Sequence, residues 1–160
     1  VATDRSDQRP SATWSAAVRD GRMRAMELVV ATDLSPAAAP AVDHALRWAK
    51  QLGANVTLLH VVHDPELAPA LANDVPGDVA AAKRALGAIA AQSAVPCRVD
   101  VRTADDVAAA IAAAARGAAY LFVGTHGRSG FQRLRLGSVA TKVLRQSPAP
   151  VVCMPSPATA

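Results

Sequence analysis

Large aromatic side chains are almost missing from this 160-residue chain, at 3% of its residues, although 51% of it is hydrophobic. Its core must therefore be built from alanine, valine and leucine, and the length suits one domain with a full interior. Long apolar runs are missing too: no stretch of about 18 consecutive apolar residues is present, which excludes a membrane-spanning helix of ordinary length. Residues 1 to 22 mix Asp4, Arg5, Asp7, Arg9 and Arg19 with no apolar segment of the kind a secretory leader carries. Like charges do not gather. The 17 Lys and Arg against 13 Asp and Glu leave a net charge of +4, but no five cations run together, so charge gives no sign of a nucleic-acid partner. Cysteine is limited to Cys97 and Cys153, neither in a CxxC or Cys/His metal spacing and both inside apolar runs, where they read as core residues. The expectation is a soluble protein of a reducing cytoplasm, without membrane or nucleic acid. Neither G-x4-G-K-[ST] nor G-x-G-x-x-G occurs, which disfavours P-loop hydrolysis and dinucleotide redox chemistry.

What is present is an alternation of short apolar runs with amphipathic, alanine-rich segments from Met26 onward, the pattern of βαβ units around a parallel sheet. Strands are expected at Glu27 to Thr32, Asn55 to Val62, Cys97 to Arg102, Tyr120 to Val123 and Pro150 to Met154. Helices are expected from Ser35 (N-cap, with Pro36 at the first position) to Gly53, from Asp78 to Gln92, from Asp105 to Arg116 and from Gly137 to Arg145. Cys97 to Arg102 alternates apolar and charged residues, which marks a sheet margin. The fold class is α/β, a single open five-stranded parallel sheet flanked by helices in a Rossmann-like three-layer sandwich. Residues 1–25 read as an extension, 26–155 as the domain and 156–160 as a tail.

Ligands of such sheets sit beyond the carboxyl ends of the strands, where strand order reverses. Asp33, His60 to Asp64 and the segment after Val123 all lie at that end. The last of these runs Gly124-Thr125-His126-Gly127-Arg128-Ser129-Gly130 and closes at Gly137-Ser138. Strand, glycine loop and helix start in that order shape a backbone to hold phosphate, with glycines allowing close approach of main-chain N–H groups and Ser138 expected as the helix N-cap. His126 lies inside the loop and can donate to phosphate. Arg128 follows Gly127 directly and is the cation best placed for a phosphate contact. Asp33 either closes the turn after the first strand or contacts a ribose or Mg²⁺, for which one carboxylate beside a triphosphate is enough. His60 and His63, three apart on a strand, point to opposite faces; no zinc pair is expected, and His60 reads as a satisfied interior residue.

Residues 26 to 155 resemble the universal stress proteins. The ATP-binding branch of that family carries G-x2-G-x9-G-[ST], matched here by Gly124, Gly127, Gly137 and Ser138, and Val30 to Ser35, Leu58 to Val61 and Pro148 to Val152 resemble family segments in the same order. The resemblance implies ATP as ligand, with or without Mg²⁺. It implies an adenine pocket bounded by main chain at Ala31, Thr32 and Val61, and a ribose or metal role for Asp33. Phosphates would be wrapped by Gly124, Thr125, His126, Gly127, Arg128, Ser129 and Gly130 and closed by Gly137, Ser138 and Val139. It also implies a stress-response regulator that forms homodimers through the last strand, where Val151 to Met154 make an apolar edge. The enzyme question stays open toward no: Asp33-Leu34-Ser35-Pro36 lacks the glycines of a transferase loop, and slow ATP hydrolysis is the most the resemblance permits. A nucleotide-free dimeric scaffold is the remaining alternative.

Overall fold

The computed structural model describes residues 25–64, 75–125 and 136–155. In chain order these form β1 (Glu27–Ala31), α1 (Ala39–Leu52), β2 (Asn55–His63), α2 (Val75–Gln92), β3 (Cys97–Ala104), α3 (Val107–Ala114), β4 (Tyr120–Gly124), α4 (Ser138–Gln146) and β5 (Val151–Met154). The five strands make one parallel sheet in the order β3-β2-β1-β4-β5. The chain winds outward from β1 to β3, then returns to the other side of β1 for β4 and β5. Strand order reverses between β1 and β4, and a crevice opens there at the carboxyl ends.

Period-two alternation divides the central strands between two cores. Leu28, Val30, Val56, Leu58 and Phe122 face α1 and α2, and pack with Ala41, Ala45, Ala49 and Leu86. Val29, Ala31, Leu59, Leu121 and Val123 face α3 and α4, and pack with Ala108, Ile111, Ala140 and Val143. Because β1 is covered on both faces, its sequence is apolar from Leu28 to Ala31, each of those side chains buried. Alanines at 41, 45 and 49 recur every fourth residue and let α1 lie close to the sheet. Trp48 of α1 meets Tyr120 and Phe122 edge-on, at centroid distances of 5.8 and 5.4 Å, so most of the few aromatics share one spot.

The margins behave as their sequences suggest. β3 is an edge strand whose residues are half-buried apart from the exposed Arg98 and Thr103, and β5 closes the opposite edge with all four residues half-buried. Gly53 ends α1 in the left-handed region at φ 64°, where its N–H reaches the Ala49 carbonyl. Asp106 caps α3 by accepting from the Ala109 N–H at 3.1 Å. One expected cap is not formed: α1 starts at Ala39 with Ala38 as N-cap, not at Ser35. The Ser35 hydroxyl is drawn instead to Asp33 Oδ1 at 2.6 Å, and the chain makes a separate turn in which the Ala38 N–H donates to the Ser35 carbonyl. Cys97 and Cys153 are free thiols, half-buried against the two cores.

Candidate functional site

A cavity of about 360 Å³ occupies the crevice between β1 and β4. The ends of β1, β2 and β4 form its floor and α3 and α4 its walls. Of the residues singled out from the sequence, Ala31, Thr32, Asp33, Val61, Gly124, Thr125, Gly137, Ser138 and Val139 all line it. His126, Gly127, Arg128, Ser129 and Gly130 lie outside the described residues. Sequence reasoning missed the apolar walls: Leu59 below, Val107 and Ile111 from α3 and Val143 from α4. Their only local signal is the i, i+4 spacing of Val107 and Ile111, which by itself marks a core-facing stripe and no more. The lining is thus mostly apolar, with a few polar groups at the strand ends and the start of α4, the usual make-up of a small-molecule site.

The glycine segment is pinned at its two ends. The Thr125 N–H donates to the Met154 carbonyl at 2.9 Å, which continues the β4–β5 ladder by one rung, and the Gly137 N–H donates to the Thr125 carbonyl at 2.8 Å. A β-carbon at position 137 would stand 3.3 Å from that carbonyl oxygen, so close approach of main chain explains the glycine. Gly137 itself is the N-cap of α4, with no side-chain cap, and this corrects the expectation for Ser138, which is the first helical residue. Ser138, Val139 and Ala140 nevertheless border the cavity. The N–H groups of a first helical turn have no acceptor within the helix and carry the positive end of its dipole. An anionic group entering the cavity beside Ser138 would meet that end.

Asp33 both closes a turn and borders the cavity. Its Oδ1 accepts the Ser35 N–H at 3.0 Å and the Ser35 hydroxyl at 2.6 Å. Among the described residues no three His, Cys, Asp or Glu side chains gather as a metal site. A cation here would need phosphate oxygens and water to complete its shell, and a lone carboxylate fits the habit of Mg²⁺. Leu34 takes a left-handed φ of 63°, and its N–H donates to Thr32 Oγ1 at 3.0 Å.

The β2 edge of the cavity has an unusual backbone. In a parallel sheet each residue sends its N–H and C=O to the same side. Along β2 the even residues serve β3, since Val56 N–H reaches Pro96 and Asp64 N–H reaches Ala104. The odd residues serve β1, since Asn55 N–H reaches Met26 and Leu59 C=O accepts from Thr32 N–H at 3.0 Å. Val61 is odd, but β1 ends at Ala31. Its N–H and C=O therefore face the opening beside Thr32, and among the described residues no ladder bond reaches either. His60, an even residue, sends its buried ring to the Thr32 carbonyl, with Nδ1 at 2.7 Å. His63 on the other face is exposed and stands 3.9 Å from Asp105.

The model of the universal stress protein family matches residues 25–155. Among solved structures, universal stress protein UspA from Lactobacillus plantarum is 26% identical, with 82% of this chain and 99% of that chain covered and a TM-score of 0.68. A protein of the universal stress protein family from Burkholderia pseudomallei is 28% identical over 81% of this chain and 96% of its own, with a TM-score of 0.61. A universal stress protein in complex with cAMP is 25% identical over 82% of this chain and 98% of its own, with a TM-score of 0.59. A comparison with curated proteins finds no match.

Proposed function

Because the chain belongs to the universal stress protein family over residues 25–155, we propose that it is a cytoplasmic regulator that binds an adenine nucleotide, ATP in the first place, and responds to it in stress. The observation that carries this reading is the Val61 main chain, a donor and an acceptor side by side at the rim of an apolar cavity. Adenine presents a ring nitrogen that accepts beside an amino group that donates, so a ring lying in the cavity satisfies both Val61 groups at once. Guanine presents the two functions in the reverse order. Discrimination against it comes from leaving both Val61 groups unpaired, a penalty of about 1–3 kcal/mol for each. A structural relative bound to cAMP supports the same ligand class.

With the base against Val61, Ala31 and Thr32, the ribose lies toward Asp33 and the phosphates toward Gly124, Thr125 and the first turn of α4. His126, Gly127, Arg128, Ser129 and Gly130 complete the phosphate wrap, with Gly137, Ser138 and Val139 closing it. Asp33 is the residue that would hold Mg²⁺, and such an ion would supply charge neutralisation of the phosphate tail. Two copies pair through β5, whose outer edge offers the N–H and C=O of Val151 and Cys153. The inner partners, Val152 and Met154, are spent on β4. The homodimer and its edge are tested by light scattering at micromolar concentration, where a monomer rejects them.

The ligand is tested by mass spectrometry of whatever the purified protein releases on denaturation and by thermal shift with ATP, ADP, cAMP and GTP. An adenine nucleotide at a hundredfold excess over its Kd stabilises the fold by about 2.7 kcal/mol. GTP gives a much smaller shift at equal concentration. No shift with any adenine nucleotide, together with no released nucleotide, rejects the reading.

A further inference from the structure

β2 runs on to His63 while β1 stops at Ala31, so two further rungs would continue their ladder: Val61 N–H to the Thr32 carbonyl, and Leu34 N–H to the Val61 carbonyl. Both are diverted by side chains. The Thr32 carbonyl is taken by His60 Nδ1 at 2.7 Å. A carbonyl can only accept, so Nδ1 is the nitrogen that carries the proton. The Leu34 N–H is taken by Thr32 Oγ1 at 3.0 Å, with Leu34 turned to φ 63°. His60 and Thr32 are each 8% exposed, so both substitutes are shielded from competing water.

We infer that His60 and Thr32 are positioning residues which stop the β1–β2 ladder and so hold the Val61 N–H and C=O open for the base edge. The inference rests on the adenine reading and goes beyond it, because it assigns the source of base specificity to two side chains. Neither has to touch the ligand to act. His60 takes away the acceptor that would otherwise quench the Val61 N–H, and Thr32 takes away the donor that would quench the Val61 carbonyl. Leucine at position 60 keeps an apolar filling of the site but returns the Thr32 carbonyl to Val61. Valine at position 32 keeps the shape but releases the Leu34 N–H. Asparagine at position 60 restores a donor close to where Nδ1 stands.

The test reads the ladder and the ligand separately. Amide hydrogen exchange by NMR is measured on ligand-free wild type, His60→Leu, His60→Asn and Thr32→Val. In wild type the Val61 amide exchanges faster than the laddered Leu59 amide, and in His60→Leu it slows at least about tenfold as a new bond forms. ATP binding by calorimetry weakens at least about tenfold in His60→Leu and recovers in His60→Asn, the size expected for losing one paired group in a buried site. Thr32→Val weakens ATP without slowing the Val61 amide. A Val61 amide in ligand-free wild type as protected as Leu59 overturns the inference whether or not any variant folds. So does His60→Leu that binds ATP as wild type does. A wild type that binds no adenine nucleotide overturns the functional reading alone, and the exchange comparison then decides the ladder stop by itself.

Discussion

One methyl group, added at two glycines, is expected to act with opposite sign. Gly87 lies inside α2, thirteen residues from its start and six from its end when both are counted, and a β-carbon there meets nothing within 4 Å. Gly87→Ala therefore adds no contact and no clash. It removes the backbone freedom that glycine must give up in a helix interior, a gain of roughly 0.5–1 kcal/mol. For a chain of this length that is a rise in Tm of about 2–3 °C and in the urea midpoint of about 0.3–0.5 M. Gly137→Ala meets the Thr125 carbonyl oxygen at 3.3 Å. That oxygen is main chain, already engaged by the Gly137 N–H, and cannot swing aside as a side-chain tip would. Alanine is also a poorer N-cap than glycine. The variant is expected to lose roughly 0.5–1.5 kcal/mol and to bind ATP more weakly, while Gly87→Ala binds as wild type does. Urea melts with unchanged slopes, read beside ATP titrations, decide the matter. The reasoning is refuted if the two variants shift the midpoint in the same direction, or if Gly87→Ala lowers it.

Three further outcomes follow from other elements. Asp106→Ala removes the acceptor for the Ala109 N–H and is expected to cost about 1 kcal/mol in urea melts; Asp106→Asn should retain most of it. Val151→Pro deletes an N–H that points away from β4, so the domain is expected to keep its far-ultraviolet spectrum and nucleotide shift while light scattering reports a monomer. Burial raises the Cys153 thiol above its ordinary 9.0, so it should react with a disulfide reagent more slowly than glutathione at pH 8. A group whose pKa is higher folded than unfolded contributes stability that is intact below the unfolded value and is lost as pH rises through the folded one. Stability in wild type should therefore fall above pH 9, and more gently in Cys153→Ala.

The sheet was legible in the sequence because its signals are local. The two-sided burial of β1 shows as an unbroken apolar run, and the edge position of β3 as Arg98, Asp100 and Arg102 alternating with apolar residues. The position of the reversal, between β1 and β4, comes from the strand pairing and not from any one segment, and it brings Asp33, Val61 and Gly124 to one crevice. The two misplaced caps show the limit. Ser35 and Ser138 each carry a hydroxyl near a helix start, but which residue caps depends on where the chain enters. Asp33 competes for one hydroxyl, and the Thr125 carbonyl draws Gly137 into the other cap position. The diversion of the ladder by His60 and Thr32 was out of reach for a different reason. It needs the register of two strands 28 residues apart in sequence, and spacing within one segment carries no such information.

The main-chain bond from Gly137 to Thr125 has an engineering consequence. It brings the two flanks of residues 126–136 side by side, so a foreign domain with neighbouring termini can be spliced in after Gly130, clear of the proposed phosphate contacts, without prying the sheet apart. Lengthening such an insert is inexpensive, about 0.6 kcal/mol for each doubling. A fluorescent reporter placed there would be tied to two residues that line the cavity, Thr125 and Gly137, and the fold would serve as the frame of a biosensor.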